Sequence, residues 1–143
     1  MQDPPTLSIH QVFVYGTLKR GQCREHAWPH EPKTIRDAAV LGALFGRDDY
    51  PALKPGDDLV AGELWEFKAD EIQQVLWRLD QIEVYNQPRT ANLYERVVCK
   101  VVDYDGETLG DAWTYHYASD PRYDKFELLQ PNAQGYAVWP SVQ

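Results

Sequence analysis

Short apolar runs, separated by polar segments that carry glycine and proline, dominate the first half of the chain. Runs rich in β-branched and aromatic residues are typical of strands. Three such runs predict strands at residues 10–15, 40–45 and 59–67. Gly42 and Gly62 interrupt the second and third runs, and glycines inside strands often mark the bends or bulges of a small closed sheet. Turn residues at 48–51 and 54–58 predict the loop between these two strands.

The periodicity changes from that of strands to that of a helix after residue 70. Asp70 is a good N-cap residue, and Gln73 three positions later completes a pair that resembles a capping box. Four apolar residues then fall on one helical face: Ile72, Val75, Leu76 and Leu79. This apolar stripe predicts an amphipathic helix that opens at Asp70.

Two further strands are predicted in the second half, at residues 95–104 and 111–118. Asp105-Gly106 between them is a turn signal, so the two strands are expected to form an antiparallel hairpin. The pattern does not place the elements of the tail after Asp120, whose sequence is compatible with either a short helix or a strap. The sum is an α+β fold, a small mixed β-barrel-like sheet with packed helices, and 143 residues fit a single domain over 1–143.

Composition and charge exclude several classes of partner. Apolar residues make up 43% of the chain and charged residues 25%, which is typical of a globular protein. The net charge of −8, with no basic cluster beyond Lys19-Arg20, argues against a nucleic-acid or an anionic membrane surface. No apolar run approaches membrane-spanning length, and the N-terminus lacks the features of a signal peptide. We expect residues 1–8 to be a loose lead-in and the chain to be cytoplasmic.

Cysteine and histidine spacings predict no metal site. Cys23 and Cys99 are the two cysteines and lack CxxC spacing, which argues against a disulfide framework or a zinc site. Cys99 alternates with valines and is expected to pack as a small hydrophobe. His26 and His30 are four residues apart, but Pro29 between them disfavours the helix that would bring them together.

Two places in the chain carry candidate chemistry. The first is the segment 12–21, where an apolar run stops at Gly16-Thr17 and leaves consecutive backbone N–H groups without strand partners. Such a turn can form an anion-binding nest, and Gly16 permits either a close approach of backbone to a ligand or a positive φ. The alternative is an ordinary turn between a strand and a loop.

The second place is Glu83. If the helix continues, Glu83 lies four residues past Leu79 and falls on the apolar stripe. Burial there would raise the pKa of its carboxyl toward neutrality, which suits a general acid/base. The alternative is that the helix ends near Asp80 and Glu83 lies in a solvated turn.

Two elements in order, the second of them in two parts, resemble the gamma-glutamylcyclotransferase-like family. Tyr15-Gly16-Thr17-Leu18 follows the first strand, as the family's Tyr-Gly-(Thr/Ser)-Leu loop does. Leu79-Asp80-Gln81-Ile82-Glu83 resembles its Leu-Asp-x-x-Glu element. Tyr94-Glu95-Arg96-Val97-Val98 resembles the Tyr-x-Arg and apolar strand that come next. The resemblance covers about residues 10–118, the expected core of the domain.

The resemblance implies roles for particular residues. Glu83 matches the family's catalytic acid/base, and the backbone of Tyr15, Gly16, Thr17 and Leu18 matches the loop that holds the substrate's α-carboxylate and γ-glutamyl carbonyl. From the residues alone, Tyr15 is equally a core aromatic, and Thr17 a hydroxyl cap of its own turn.

Two residues of the predicted hairpin also have two interpretations. Tyr115 alternates with Trp113 and Tyr117 on one strand face. These three are core aromatics, unless that face lines a cavity, in which case the Tyr115 hydroxyl contacts substrate. Arg96 forms either a buried ion pair, which we favour, or a contact with a substrate carboxylate.

The implied function is an enzyme that acts on a γ-glutamyl amine or γ-glutamyl amino acid. The free α-amine of the substrate attacks its own γ-carbonyl, which releases the amine and 5-oxoproline; this chemistry needs no cofactor. One alternative is a non-catalytic small-ligand binding or interaction module on the same fold. Another is a related lyase acting on a different γ-glutamyl conjugate. The presence of Glu83 favours an enzyme.

Overall fold

The computed structural model describes residues 9–140, and the lead-in predicted for residues 1–8 lies outside them. Among the described residues there are seven strands, one α-helix and two short 3-10 helices, at Glu25–Ala27 and Pro121–Asp124. The strands are β1 (Gln11–Val14), β2 (Thr34–Gly46), β3 (Pro51–Glu66), β4 (Tyr94–Val102), β5 (Thr108–Tyr117), β6 (Glu127–Leu128) and β7 (Tyr136–Ala137), and the helix is α1 (Ile72–Ile82). None of the helices in residues 9–140 has the length and apolar character to cross a membrane.

Five of the strands close into a small barrel. Their order is β2-β4-β5-β1-β3, and β3 pairs back with β2. The β1–β5 pair is parallel, and the other neighbours in the barrel are antiparallel. β6 pairs antiparallel with the end of β2, and β7 pairs in parallel with β3. Closure leaves few unpaired strand edges, and the predicted α+β barrel-like fold is confirmed.

The long hairpin of β2 and β3 departs most from the sequence prediction. β2 begins six residues earlier than expected, and β3 begins at Pro51 rather than at Leu59. Gly42 pairs with Asp58 while Ala43 pairs with Lys54, so residues 55–57 protrude as a bulge. The prediction of a connecting loop at 54–58 is therefore wrong, because the ladder of hydrogen bonds resumes on both sides of the turn residues.

Apolar side chains fill two layers. Inside the barrel, alternate residues of all five strands pack together, among them Phe13, Val40, Leu64, Val101 and Ala112. Cys99 packs against this layer as predicted, and burial raises the pKa of its thiol to about 12. A second layer lies between the outer face of the barrel and the apolar stripe of α1, and includes Val12, Val14, Trp65, Phe67, Tyr115 and Tyr117.

Helix α1 confirms the predicted stripe, since Ile72, Val75, Leu76 and Leu79 are all buried. The predicted opening at Asp70 is wrong. Glu71 is the N-cap residue, and its side chain makes no capping hydrogen bond. A turn in which the Glu71 N–H donates to the Lys68 carbonyl at 3.0 Å occupies this segment first. The helix therefore starts at Ile72, and the exposed Asp70 belongs to the turn.

The hairpin of β4 and β5 is confirmed, with Asp105 and Gly106 in its turn. The tail contains both a short helix and a strap. Asp120 caps the 3-10 helix by accepting from the Arg122 N–H at 3.0 Å. The strap then crosses the barrel as β6 and β7 and ends with the buried Trp139, whose indole N–H donates to the Arg47 carbonyl at 2.8 Å.

Gly62 allows β1 to lie close against β3. A Cβ atom on Gly62 would lie 2.3 Å from the Val14 carbonyl oxygen and 2.6 Å from the Phe13 ring. Because one of these neighbours is backbone, it cannot move aside without breaking the β1–β3 pairing.

We expect Gly62→Ala to lower the free energy of unfolding by about 1–3 kcal/mol, the cost of overpacking a core. Urea denaturation measures this loss. The exposed Leu41 on the neighbouring strand provides a control, since Leu41→Ala is expected to change stability by less than about 0.5 kcal/mol. An unchanged stability for Gly62→Ala would contradict the close approach of β1 and β3.

Candidate active site

The end of β1, the start of β3, the end of α1 and the strands β4 and β5 meet around one cavity of about 390 Å³, including its open mouth. The cavity is lined by Phe13, Val14, Tyr15, Gly16, Thr17, Leu18, Arg24, Tyr50, Pro51, Glu83, Tyr94 and Tyr115. All six residues predicted from the sequence for the site are among them. Their functional roles remain predictions.

The turn after β1 packs closely on β3. A Cβ atom on Gly16 would lie 2.5 Å from the Pro51 side chain, so only glycine fits here. Gly16 does not have a positive φ. Of the two reasons considered for glycine at this position, the structure supports close approach, and the approach is to Pro51.

Three consecutive backbone N–H groups of this turn are available to a ligand. Within residues 9–140, the N–H groups of Gly16, Thr17 and Leu18 donate no hydrogen bond. Their carbonyl groups are all engaged: Gly16 accepts from Lys19 at 3.1 Å, Thr17 from Arg24 at 2.8 Å, and Leu18 from the indole of Trp28 at 3.1 Å. The turn is therefore held by its carbonyl oxygens, which leaves donors of the kind that bind an anion or an oxyanion.

The side chain of Thr17 does not cap this turn. The residue is buried, and its hydroxyl makes no hydrogen bond to the rest of the described chain. No fully buried side-chain oxygen among the described residues lacks a partner. The Thr17 hydroxyl is therefore not fully buried, and Thr17 lines the cavity.

Contacts on the far side of the loop fix it to the barrel. Trp28 stacks on Trp65 with ring centroids 4.3 Å apart and an interplanar angle of 9°. Glu63, which is buried, accepts from both the backbone N–H and the Nε of Arg20 at 2.9 Å. It also accepts from the Trp65 indole at 3.1 Å. Such charge-assisted bonds limit the conformations of the loop that carries the free N–H groups.

Glu83 lies at the C-terminal end of α1. The two predicted positions, on the apolar stripe of the helix and in the turn after it, are therefore each correct in part. The helix ends at Ile82, and Glu83 is the C-cap residue, with its N–H donating to the Leu79 carbonyl at 2.8 Å. Its carbonyl accepts from the Tyr94 N–H at 3.2 Å, which joins the helix end to β4. The side chain therefore stays on the side of the apolar stripe and points to the cavity.

The carboxylate of Glu83 has no hydrogen-bond partner among the described residues. Glu83 is half-buried and lines the cavity, and burial raises the pKa of its carboxyl from 4.5 to about 7. The charge of Arg24 opposes this rise. At neutral pH the carboxyl is therefore poised to take up or release a proton.

Three tyrosines line the cavity together with Glu83. The Tyr15 hydroxyl donates to the Tyr115 carbonyl at 2.6 Å, and the Tyr94 hydroxyl donates to the Pro51 carbonyl at 2.6 Å. Tyr15 also belongs to the apolar layer inside the barrel, so it is both a core aromatic and a cavity residue. The Tyr115 hydroxyl donates to the carboxylate of Asp80 at 2.6 Å.

Arg96 forms the ion pair that was the favoured interpretation. Its Nε lies 3.6 Å from Asp80 Oδ1, and its guanidinium stacks over the ring of Trp113 at 4.8 Å. Arg96 does not line the cavity.

Arg24 and Tyr50 also line the cavity, and no motif or spacing in the sequence indicates them. The guanidinium of Arg24 lies 5.1 Å from the centre of the Tyr50 ring and donates to its hydroxyl at 3.1 Å. The adjacent pair Lys19-Arg20 was the more conspicuous basic feature, but Lys19 Nζ donates to the Trp139 carbonyl and Arg20 binds Glu63.

Within residues 9–140, no three His, Cys, Asp or Glu side chains come together as metal ligands would. His30 contacts Glu71 and Gln74 at the start of α1, whereas His26 is exposed. The two are not brought together as a ligand pair.

Comparison with known proteins agrees with this geometry. Residues 12–136 match the family described as Gamma-glutamyl cyclotransferase, AIG2-like. A curated relative, the gamma-L-glutamyl-butirosin B gamma-glutamyl cyclotransferase of Niallia circulans, is 38% identical over 112 residues, which cover 76% of this chain and 67% of the relative.

Two solved structures share the fold. An AIG2-like protein from Mus musculus aligns with a TM-score of 0.61 and 23% identity, over 94% of this chain and 98% of its own. YkqA from Bacillus subtilis aligns with a TM-score of 0.56 and 21% identity over 76% of this chain, which spans only 36% of YkqA. The match over most of the sequence and the 38% identity to the curated relative place this chain in the gamma-glutamyl cyclotransferase, AIG2-like family, as an enzyme of that type.

Proposed function

We propose that this protein cyclises the γ-glutamyl group of a γ-glutamyl amine or γ-glutamyl amino acid, releasing the amine and 5-oxoproline, with Glu83 as the general acid/base. The observation that carries the proposal is the position of the Glu83 carboxylate. It has no hydrogen-bond partner in the described chain and a pKa of about 7, and it shares a cavity with three unpaired backbone N–H groups.

The reaction needs a proton acceptor before the new bond can form. The α-ammonium of the substrate must lose a proton to become a nucleophile, and the ionised Glu83 carboxylate can accept it. The amine nitrogen then attacks the γ-carbonyl carbon of the same molecule, which closes a five-membered ring. Because both groups belong to one substrate, the cavity has only to hold the chain folded back on itself.

The tetrahedral intermediate places negative charge on the former carbonyl oxygen. The N–H groups of Gly16, Thr17 and Leu18 can donate to this oxyanion and to the α-carboxylate of the substrate. The Glu83 carboxyl then returns its proton to the leaving nitrogen, the C–N bond breaks, and the amine departs. The Glu83 carboxylate so released takes the second proton from the ring nitrogen and passes it to solvent, which leaves the neutral amide of 5-oxoproline. One group thus serves as base and then as acid, and no step requires a cofactor.

Arg24 supports the same substrate class. It is the cationic side chain in the cavity lining, and its charge favours an anionic ligand beside the turn. The name of the relative from Niallia circulans, a cyclotransferase that acts on a γ-L-glutamyl conjugate, supports a γ-L-glutamyl substrate for this chain as well.

Glu83→Gln tests the proposal directly. The change keeps the shape of the side chain and removes its proton-carrying group, so we expect kcat to fall by about a hundred- to ten-thousandfold. KM should change much less, because the turn holds the substrate. The assay measures 5-oxoproline released from a panel of γ-glutamyl amines and amino acids, and a melting curve shows that the variant is folded. Glu95→Gln, on the exposed side of β4, is the matched control. A folded Glu83→Gln protein with wild-type turnover would refute the role of Glu83.

The stability of the protein should depend on pH through Glu83. Between the ordinary pKa of 4.5 and the folded-state value of about 7, the folded chain holds a proton that the unfolded chain has lost. This contribution to the free energy of unfolding is full below the lower pKa and is lost as pH rises through the higher one. The free energy of unfolding of Glu83→Gln, relative to that of wild type, should therefore rise by about 3 kcal/mol as the pH is raised from about 4 to 8. Urea denaturation at both pH values measures the gain, and a difference that is independent of pH would show that Glu83 is not desolvated.

Turnover should not depend on a metal ion. Proton transfer through Glu83 and hydrogen bonding by the turn supply the whole of the proposed mechanism. We expect kcat to be unchanged after dialysis against a strong chelator. Loss of activity on chelation, with recovery on addition of zinc or manganese, would require a different mechanism.

A further inference from the structure

Asp80, one helical turn before Glu83, is joined to the cavity through Tyr115. The Tyr115 hydroxyl lies 2.6 Å from Asp80 Oδ1. Tyr115 and Glu83 line the same cavity. Burial, followed by the hydrogen bond to Asp80, raises the pKa of the Tyr115 phenol, so the phenol keeps its proton at neutral pH. Asp80 itself does not line the cavity. The mechanism above leaves this pair without a role.

The direction of the hydrogen bond follows from the chemistry of its partners. An ionised carboxylate has no proton to donate, so the phenol must donate to Asp80. Arg96 lies directly across the β4–β5 pair from Tyr115 and places its Nε 3.6 Å from Asp80 Oδ1. Burial raises the pKa of Asp80, and the hydrogen bond from Tyr115 and the charge of Arg96 oppose that rise because both favour the ionised carboxylate. With its one proton directed at Asp80, the Tyr115 oxygen can offer only lone pairs to the cavity.

We propose that Asp80 is a positioning residue that holds the Tyr115 hydroxyl as a hydrogen-bond acceptor for the α-ammonium group of the substrate. The inference rests on the proposed function, since it assumes a ligand with a free α-amine. The ammonium then meets two acceptors, the Tyr115 oxygen and the Glu83 carboxylate. Glu83 takes the proton that lies toward it, and Tyr115 keeps the nitrogen in place for attack on the γ-carbonyl carbon.

This arrangement makes a primary α-ammonium a requirement for tight binding. A ligand that lacks the amine leaves the Tyr115 oxygen without a donor and loses one charge-assisted hydrogen bond, whereas Glu83 can take up a proton in place of the ammonium. Asp80→Asn would allow this hydrogen bond to reverse its direction, because the asparagine amide can donate to the phenol. The phenol proton would then be free to point into the cavity, where it opposes the N–H groups of the ammonium.

Two unreactive ligands allow a test by calorimetry. L-methionine sulfone carries the α-ammonium and α-carboxylate and has a sulfonyl group where the substrate has its γ-carbonyl; 4-(methylsulfonyl)butanoate is the same molecule without the amine. We expect wild type to prefer the amine-bearing ligand by about ten- to a hundredfold, the size of one charge-assisted hydrogen bond. Tyr115→Phe and Asp80→Asn should each remove most of this preference while leaving the affinity for the deamino ligand within about threefold of wild type.

A double variant at Asp80 and Tyr115 and a second Tyr–Asp pair provide two controls for this test. Asp80→Asn should have no further effect on the preference in a Tyr115→Phe background, because Asp80 acts through the phenol. Asp124→Asn breaks a chemically equivalent bond, from Tyr117, outside the cavity lining, and should leave the preference unchanged.

The inference is overturned if wild type binds both ligands equally or neither, or if Asp80→Asn and Asp124→Asn behave alike. Since neither ligand can be turned over, these results are independent of the 5-oxoproline assay. A preserved preference without turnover would reject the proposed reaction and keep the ammonium site.

Discussion

The desolvation of one carboxylate is the constraint on which the cavity depends. A carboxylate removed from water without a partner is costly to the folded state, and folded proteins usually relieve the cost by pairing or by protonation. Glu83 has no hydrogen-bond partner among residues 9–140, and burial raises the pKa of its carboxyl to about 7, so uptake of a proton near neutral pH relieves the cost. The surrounding structure must therefore supply enough stability elsewhere to keep this group where it is.

Three features of the scaffold hold the group in position. The N–H and carbonyl of Glu83 both form hydrogen bonds, to Leu79 and from Tyr94, so the backbone cannot turn the side chain toward bulk water. Closure of the barrel between β2 and β3 fixes β1 and Pro51 on the opposite wall. The stacked Trp28 and the tethered Arg20 then hold the loop that presents the free N–H groups. Glu83 and the turn with the free N–H groups thus line one cavity, and hydrogen bonds join each of them to the barrel.

The elements that could be predicted from sequence are those specified by local pattern. The stripe of α1 and the Asp105-Gly106 hairpin follow from periodicity and turn chemistry. The length of β2 and β3 does not, because polar residues such as Arg36 and Asp37 are exposed and pair through their backbone. The bulge at 55–57 contains the same residues as a loop and cannot be distinguished from one by composition. The capping pair of Asp70 and Gln73 failed because a turn at 68–71 competes for the same segment.

The candidate site likewise contains residues that a sequence motif indicates and residues that only the tertiary structure brings to it. Tyr15–Leu18 and Glu83 stand in motifs that resemble a family, whereas Arg24 and Tyr50 have no motif around them. Arg24 reaches the cavity only because the turn folds back so that its N–H meets the Thr17 carbonyl, and that contact is specified by the tertiary structure. Similarly, nothing in the spacing of Asp80, Arg96 and Tyr115 indicates that they form one cluster until β4 and β5 pair beneath the helix.

The central claim is that the new bond forms within the substrate and that water takes no part. The most direct measurement is mass spectrometry of the products after turnover of a γ-glutamyl amine in ¹⁸O-labelled water. Intramolecular attack by the α-amine predicts 5-oxoproline and free amine in equal amounts, with no ¹⁸O in the 5-oxoproline. Glutamate carrying ¹⁸O as the first product would show that the cavity activates water for hydrolysis, and the account of Glu83 as the base for cyclisation would be wrong.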